Sequence, residues 1–350
     1  MHVVECFGGG VLQSVAKLCH FTKDDFDIIV THSRREQTPD DYARYYPDNV
    51  VFEPWHAVRN ISPKDEIKSI IHLRKIVKKH KPDVLHLHSS KAGAIGRLAF
   101  PFGGGMKVIY TPRAYGFLQL NLSKKKQFIY RFLEKTLGYT KHITVACGMG
   151  EHKLAQEIAR KSDVICNSIS LEYLDKTAGQ RKLNDNFTVV TSGRICYQKN
   201  YPLFVEIARA FEGKGVDFIW VGGEAPSDIA LPKNMKVTGW VAHDESVKIM
   251  ASAHIYVQTS LWEGLSLTVL EAMGLGLPVV LSGAVGNAEM IDEGKDGFIC
   301  NDLSKYIKAI DSLKEDGDLR HSLGKNARAK IEKDYNNESC AVAWKKMYEG

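Results

Sequence analysis

Paired cysteines are missing from this sequence of 350 residues. Its seven cysteines are scattered singly, with no C-x-x-C pair and no spacing of the kind that zinc ligands have. This pattern gives no support to a disulfide-stabilised secreted domain or to a structural zinc site. A reducing compartment is the simplest inference.

Long hydrophobic runs are missing as well. No stretch approaches the roughly 18 apolar residues that a membrane-spanning helix needs, and the N-terminus has no apolar core of a signal peptide. The charge is nearly balanced, since 47 Lys and Arg residues stand against 41 Asp and Glu residues. The excess of +6 is compatible with an anionic ligand, a membrane surface or no charged partner at all. We predict a globular cytoplasmic protein and expect no nucleic-acid partner.

Two short motifs that resemble ligand-binding sites depart from the patterns that such sites have. Gly8, Gly9 and Gly10 follow the first predicted strand, where glycines let backbone amides approach an anion at the start of a helix. The dinucleotide fingerprint G-x-G-x-x-G would need glycine at position 13, but Gln13 stands there, which disfavours binding of NAD. The D-x-D at residues 25–27 precedes a predicted strand rather than following it, and we interpret it as a solvated turn. We therefore expect no metal ion.

Strand and helix signals alternate along the chain. Apolar runs such as PDVLHLH at 82–88 and FTVVTSG at 187–193 are separated by amphipathic helical segments. This alternation is typical of parallel β-α-β units in doubly wound sheets, which bind ligands at the carboxyl ends of their strands. We predict two Rossmann-like α/β domains, residues 1–170 and 171–350, with a polar linker at 171–186. This prediction leaves open whether the last helix of the chain packs on the first domain.

A second loop, SGRICYQKNY at 192–201, also follows a predicted strand. Arg194 and Lys199 lie where two cations can converge on one diphosphate, the arginine as a planar fork and the lysine as a point charge. Considered alone, the pair is explained equally well as two exposed surface residues.

The third loop, SLWEGLSLTVLEAMGLGLPVVLSG at 260–283, carries two glutamates. Ser266 is expected to cap a helix that begins near Leu267, so that amides at the helix N-terminus face a phosphate. Glu263, ahead of the helix, is predicted to accept hydrogen bonds from sugar hydroxyls, and Glu271, within it, from a ribose diol. The alternative for Glu271 is an exposed helix face, which its apolar neighbours disfavour.

These motifs together resemble the C-terminal signature of the retaining GT-B glycosyltransferases of family four, whose hallmark is a glutamate pair in E-x7-E spacing. The resemblance extends over most of the chain, and VLHLHSSKAGAIGRLA with VIYTPRAYGF looks most like enzymes of bacterial O-antigen and capsule synthesis. It implies two Rossmann-like domains that face a central cleft. It also implies that the protein transfers a hexose or N-acetylhexosamine from a nucleotide sugar without a metal ion or a cofactor. We expect the nucleotide sugar to be a UDP-sugar.

The resemblance assigns roles to individual residues. Arg194 and Lys199 hold the donor diphosphate, Glu263 orients the donor sugar, and Glu271 binds the ribose. The rest of the donor-binding set consists of Gly8, Gly9, Gly10, Gly223, Gly264, Leu265, Ser266, Leu267 and Thr268. The acceptor-side candidates are His88, Lys91, Arg113 and Tyr115.

One departure from the family concerns a general base. Many relatives carry histidine where this chain has Arg113, and arginine cannot act as a base at physiological pH. His88 remains a candidate for that role, although its place at a strand end also fits a structural one. A mechanism in which the leaving phosphate helps to deprotonate the acceptor fits better, because no carboxylate is obviously placed as a nucleophile.

The acceptor that the resemblance implies is a glycan on a membrane-bound polyprenyl diphosphate. The segment LSKKKQFIYRFLEKTLGYTKH at 122–142 suits this location, because a helix there has a basic stripe with adjoining aromatic residues. The stripe holds Lys124, Arg131 and Lys135 beside Phe128 and Phe132, while Ile129, Leu133 and Leu137 are expected to pack on the domain. We predict peripheral binding at the cytoplasmic face; the simpler alternative is a solvated amphipathic helix.

Two other classes of function stay open. A nucleotide-sugar epimerase of related fold would use similar phosphate contacts but would convert the donor without an acceptor. A non-catalytic sugar- or membrane-binding protein would have no reason to keep the two cations and two glutamates together.

Overall fold

The computed structural model describes residues 1–35, 38–58 and 62–350, and these residues form two compact units. The first unit comprises Met1–Asn167 and Glu338–Gly350, and the second comprises Ser168–Asn337. The sequence interpretation placed the boundary between its two domains after residue 170. Among the described residues, no helix is both long and apolar enough to cross a bilayer.

The first unit is a parallel seven-stranded sheet with helices around it, in the strand order β3-β2-β1-β4-β5-β6-β7. The strands are β1 (His2–Phe7), β2 (Ile29–Arg34), β3 (Val51–Pro54), β4 (Val84–His88), β5 (Lys107–Thr111), β6 (Ile143–Ala146) and β7 (Ser162–Val164). The helices are α1 (Gly9–Thr22), α2 (Pro63–His80), α3 (Ser90–Ala99), α4 (Lys124–Leu137) and α5 (Met149–Ile158).

The second unit repeats this plan with a parallel six-stranded sheet in the order β10-β9-β8-β11-β12-β13. Its strands are β8 (Phe187–Ser192), β9 (Val216–Val221), β10 (Met235–Val237), β11 (Ile255–Gln258), β12 (Val279–Ser282) and β13 (Gly297–Cys300). Its helices are α6 (Leu171–Ala178), α7 (Tyr201–Ala210), α8 (His243–Ala251), α9 (Leu267–Gly274), α10 (Val285–Ala288), α11 (Leu303–Glu315) and α12 (Gly317–Asp334). The prediction of two doubly wound α/β units is confirmed.

The chain ends in α13 (Asn337–Glu349), which packs on the first unit. Trp344 and Tyr348 are buried there together with Ile109 and Val145 of the central strands. The last helix therefore adds two large aromatic side chains to the core of the N-terminal sheet.

One detail of the sequence interpretation was wrong. The proposed polar linker at 171–186 begins with a helix, α6. Ser170 starts α6 because its hydroxyl accepts a hydrogen bond from the amide of Tyr173 at 3.1 Å, while Leu174 is buried. One buried leucine in a polar segment is too weak a periodic signal to reveal this helix.

Candidate active site

The loop after β8 holds Lys199 in a fixed place at the carboxyl edge of the second sheet. Lys199 ends a 3-10 turn, and Asn200 follows it with a φ of 51°, in the left-handed region. The Thr259 hydroxyl, beyond β11, donates hydrogen bonds to the carbonyls of both residues, at 2.8 and 3.2 Å. The backbone that carries Lys199 is thus attached to the neighbouring strand end.

Lys199 and Glu263, two residues predicted to act on the donor, form an ion pair. Lys199 Nζ lies 2.7 Å from Glu263 Oε1, and the two side chains are 17% and 9% exposed. Burial opposes the charge on the ammonium, but attraction to Glu263 outweighs it and raises the pKa of Lys199 above its usual value. The Gln198 amide donates to the Trp262 carbonyl at 2.8 Å and holds the two loops together. A fixed positive charge and a fixed carboxylate therefore share one site.

Arg194 differs from Lys199 in its surroundings. It is exposed, and within the described residues no carboxylate lies within ion-pairing distance of it. The pair of cations predicted for this loop therefore consists of one buried, oriented charge and one exposed charge that is available to a ligand.

Glycines allow the loops at this edge to approach each other closely. Gly223 has a φ of 73°, and a Cβ there would lie 2.8 Å from the amide nitrogen of Ile195. A Cβ on Gly286, at the start of α10, would lie 1.7 Å from the carbonyl oxygen of Gly264. These positions admit only glycine without a shift of the backbone.

The helix α9 begins at Leu267, as predicted, but Ser266 does not cap it with its side chain. Ser266 occupies the N-cap position with extended backbone, and its hydroxyl is engaged by Gln258 and Thr268, at 3.1 Å each. The capping prediction was therefore wrong in its chemistry, because neighbouring polar side chains compete for the hydroxyl. The amides of the first helical turn have no partner inside the helix and remain the donors that the sequence suggested for a phosphate.

Glu271 is part of a hydrogen-bonded network that sequence reasoning missed. It is 9% exposed, and its Oε1 lies 2.8 Å from Nε2 of His243, the first residue of α8. Nδ1 of His243 lies 2.9 Å from the hydroxyl of Tyr173, whose ring is parallel to the imidazole, and this hydroxyl also donates to Asp244. The network fixes one carboxylate oxygen of Glu271 and excludes the exposed-face alternative.

In the first unit, a chain of hydrogen bonds connects Arg113 with two buried histidines, His88 and His2, and the ring of a third, His86, lies against His88 with the centroids 3.9 Å apart. Arg113 donates to Nδ1 of His88 from Nε and Nη2, at 3.3 and 3.2 Å, and Nε2 of His88 lies 3.0 Å from Nδ1 of His2. His86 contacts the Tyr348 hydroxyl at 2.8 Å. Burial, more than the nearby Arg113 charge, lowers the pKa of all three histidines well below the usual value, so the rings are neutral.

The histidine nitrogens lie close enough together to suggest a metal site. In the part of the chain that the structure describes, His2, His86 and His88 offer ring nitrogens within 4.8 Å of one another. Both nitrogens of His86 and both of His88 already take part in hydrogen bonds, and a guanidinium is adjacent. The ring nitrogens therefore fit their hydrogen-bond partners in the protein better than a metal cation.

The other predicted residues of the first unit lie apart from this chain. Lys91 pairs with Glu66, with Nζ 2.7 Å from Oε1. Tyr115 is 1% exposed and stacks on Phe117 in the core, with ring centroids 4.9 Å apart. The glycine loop starts α1, where Gly8 is buried and residues 9–10 are exposed. Of the acceptor-side candidates, the structure brings only His88 and Arg113 together.

Comparison with known proteins decides the family. Residues 8–173 match the family model described as Glycosyltransferase Family 4, and residues 175–330 match the one described as Glycosyl transferases group 1. A UDP-Gal:alpha-D-GlcNAc-diphosphoundecaprenol alpha-1,3-galactosyltransferase from Escherichia coli is 32% identical over 79% of this chain and 78% of its own. The chain belongs to the family 4 glycosyltransferases.

Further relatives of this glycosyltransferase agree with the assignment. The capsular polysaccharide biosynthesis glycosyltransferase CapM from Staphylococcus aureus is 24% identical over 86% of this chain and 84% of its own. The structure of a sucrose-phosphate synthase from Thermosynechococcus elongatus has a TM-score of 0.81 at 17% identity and covers 99% of this chain and 97% of that one. The structural match supports the two-unit fold of the glycosyltransferase and nothing finer.

Proposed function

We propose that this glycosyltransferase moves a hexose or an N-acetylhexosamine from a UDP-sugar to a glycan on a polyprenyl diphosphate, in the synthesis of O-antigen or capsular polysaccharide. The buried pair of Lys199 and Glu263, next to the N-terminus of α9, carries the proposal. The names of the related galactosyltransferase and of the capsule enzyme support the choice of donor and acceptor.

The chemistry that we propose begins with departure of the nucleoside diphosphate. Negative charge develops on the leaving oxygen, and a lysine that is already oriented stabilises it without reorganisation. Glu263 is paired through Oε1, and we expect the sugar hydroxyls to bind beside this contact. Retention at the anomeric carbon is expected for the family. The lone pair of His88 Nδ1 accepts from Arg113, so we expect the leaving phosphate, rather than His88, to take the acceptor proton.

A screen of nucleotide sugars tests the proposal. Purified protein is incubated with each donor and with N-acetylglucosaminyl diphosphate on a short lipid, and released nucleotide is measured. We expect release of UDP that depends on the acceptor, and a product whose new linkage is α by NMR. Release that does not respond to any lipid-linked acceptor would contradict the proposal. Interconversion of the donor sugar in reactions without acceptor would favour the epimerase.

We further propose that the enzyme binds anionic membranes through α4. The inward face of this helix is held by a buried ion pair, with Arg97 Nη2 2.7 Å from Glu134 Oε2, and the Tyr110 hydroxyl donates to the other oxygen at 2.9 Å. The expectation that Ile129 and Leu133 pack on the domain was wrong, since they are 43% and 49% exposed. A polar anchor turned towards the protein leaves the apolar side chains facing outwards.

The exposed side of α4 combines apolar and basic residues, as a helix bound at a membrane surface does. Phe128 and Phe132 are 71% and 60% exposed, and they point away from the face that holds Glu134. Lys124, Lys125 and Lys135 are exposed and, within the described residues, lie in no ion pair. Each contributes roughly 1 kcal/mol near an anionic surface, and the aromatic rings add apolar burial.

Vesicle co-sedimentation tests this surface. Wild-type protein should pellet with vesicles that contain phosphatidylglycerol at low salt and be released by high salt. A variant with Lys124, Lys125 and Lys135 changed to Glu should stay in solution, and a variant with Phe128 and Phe132 changed to Ala should bind more weakly. The matched control changes three exposed lysines of the second unit, Lys308, Lys325 and Lys333, to Glu. Equal loss of binding in this control would mean that total charge, and not α4, decides the binding.

A further inference from the structure

Backbone strain is concentrated at the carboxyl ends of two central strands in the first unit. Five non-glycine residues in the described chain have positive φ, and three of them are Ser89 (76°), Arg113 (54°) and Ala114 (75°). Ser89 follows β4, and the other two follow β5, its neighbour in the sheet. Such conformations persist only where the surroundings impose them, and they cluster at functional sites.

A buried carboxyl group imposes the strain at Ala114. Glu151 is 1% exposed, and its two oxygens accept hydrogen bonds from the amides of Ala114 and Cys147, at 2.7 and 2.9 Å. One oxygen of Glu151 thus holds the backbone next to the arginine, and the other holds the backbone at the end of β6.

The guanidinium of Arg113 is not in a salt bridge with any carboxylate of the described residues. Its described hydrogen-bond partner is the neutral ring of His88, and within the described residues no carboxylate lies within ion-pairing distance. Burial lowers the pKa of Arg113, although Glu151 and other groups offset part of this effect. The hydroxyl of Ser89, next to His88, is also buried without a hydrogen-bond partner among the described residues. A cation that is oriented but not neutralised is suited to an anionic ligand.

We propose that Arg113 binds the diphosphate of the acceptor. The inference rests on the function proposed above, because it presumes an acceptor that carries a diphosphate. The planar guanidinium can form two parallel hydrogen bonds with phosphate oxygens, which a histidine at this position cannot. The donor diphosphate is the other possible source of the same chemistry, and Lys199 and Arg194 of the second unit are proposed to bind it.

The test compares two acceptors that differ only in the diphosphate. One is the acceptor sugar on a short lipid diphosphate, and the other is the same sugar as a simple alkyl glycoside. For Arg113→Gln, we expect kcat/KM with the diphosphate acceptor to fall about tenfold to a hundredfold, as for loss of a charged hydrogen bond, and to change little with the glycoside. Arg113→Lys should retain part of the preference, because it keeps the charge but not the fork.

The matched control is Arg160→Gln, which removes an exposed arginine of the same unit. Equal losses with both acceptors would overturn the proposal, since they would indicate a role in folding or in the chemical step. A rise in the KM of the donor alone would assign Arg113 to the donor phosphates and would overturn it as well. If wild-type enzyme itself does not prefer the diphosphate acceptor, the proposed function fails, independently of Arg113. Should Arg113→Gln not fold, Arg113→Lys decides between these outcomes.

Discussion

Replacing Lys199 by alanine is expected to lower kcat by about a hundredfold to a thousandfold and to change the KM for the donor much less. The ammonium is oriented before the donor binds, because Glu263 lies 2.7 Å away and the loop is attached to the end of β11. If Lys199 binds the donor diphosphate as proposed, its attraction to the diphosphate grows as the leaving oxygen gains charge. Steady-state kinetics with donor and acceptor varied separately would measure both parameters.

The same substitution removes one partner of a largely buried ion pair. The Glu263 carboxylate would be left uncompensated, and removal of one partner of such a pair typically destabilises a protein by about 3–5 kcal/mol. Thermal unfolding must therefore accompany the kinetics. Lys199→Arg keeps the charge and separates the two effects, while Lys248→Ala removes an exposed lysine of the same unit. A folded Lys199→Ala enzyme with normal kcat and only a raised donor KM would rule out the proposed stabilisation of the leaving group.

The parts of the candidate site that could be proposed from the sequence are those built from local motifs. Glu263 and Glu271 could be proposed from the sequence because a short loop and the first turns of α9 hold them at a fixed spacing. Lys199 lies beside Glu263 because the loop after β8 that carries it leaves the sheet next to the end of β11. The ends of neighbouring strands lie side by side in a parallel sheet. They therefore bring Lys199 and Glu263 together, although the two residues are 64 positions apart in the chain.

Contacts that depend on tertiary packing could not be predicted. Tyr173 and His243 are 70 residues apart in the chain, and neither lies in a sequence motif that predicts a contact with Glu271. The prediction of which face of α4 packs on the domain failed for a related reason. An amphipathic pattern predicts that the apolar residues of a helix face the protein. On the inward face of α4, however, Glu134 forms a buried ion pair with Arg97. A pattern of single residues does not reveal which charge finds an opposite charge in the core.

Glu271→Ala is expected to weaken binding of UDP by about tenfold to a hundredfold while lowering kcat much less. Contacts with the ribose are similar in the ground state and the transition state, so their loss appears mainly in affinity. Isothermal titration calorimetry with UDP and with its 2′-deoxy and 3′-deoxy analogues would test the assignment directly. Wild-type protein should discriminate against the deoxy analogues, and the alanine variant should bind all three alike.

Because His243 donates a hydrogen bond to Glu271, we expect that replacing His243 has a second, smaller effect on the binding of UDP. With Oε1 fixed at 2.8 Å from Nε2 of the imidazole, the carboxylate is oriented before the ribose arrives. His243→Ala should therefore reduce the discrimination against deoxy analogues by about fivefold to tenfold, and should add almost nothing when Glu271 is already alanine. Glu206→Ala, an exposed glutamate on α7, serves as the control and should bind UDP normally. Unchanged discrimination in Glu271→Ala would remove this residue from the ribose site, whereas additive losses in the double variant would show that His243 acts independently of it.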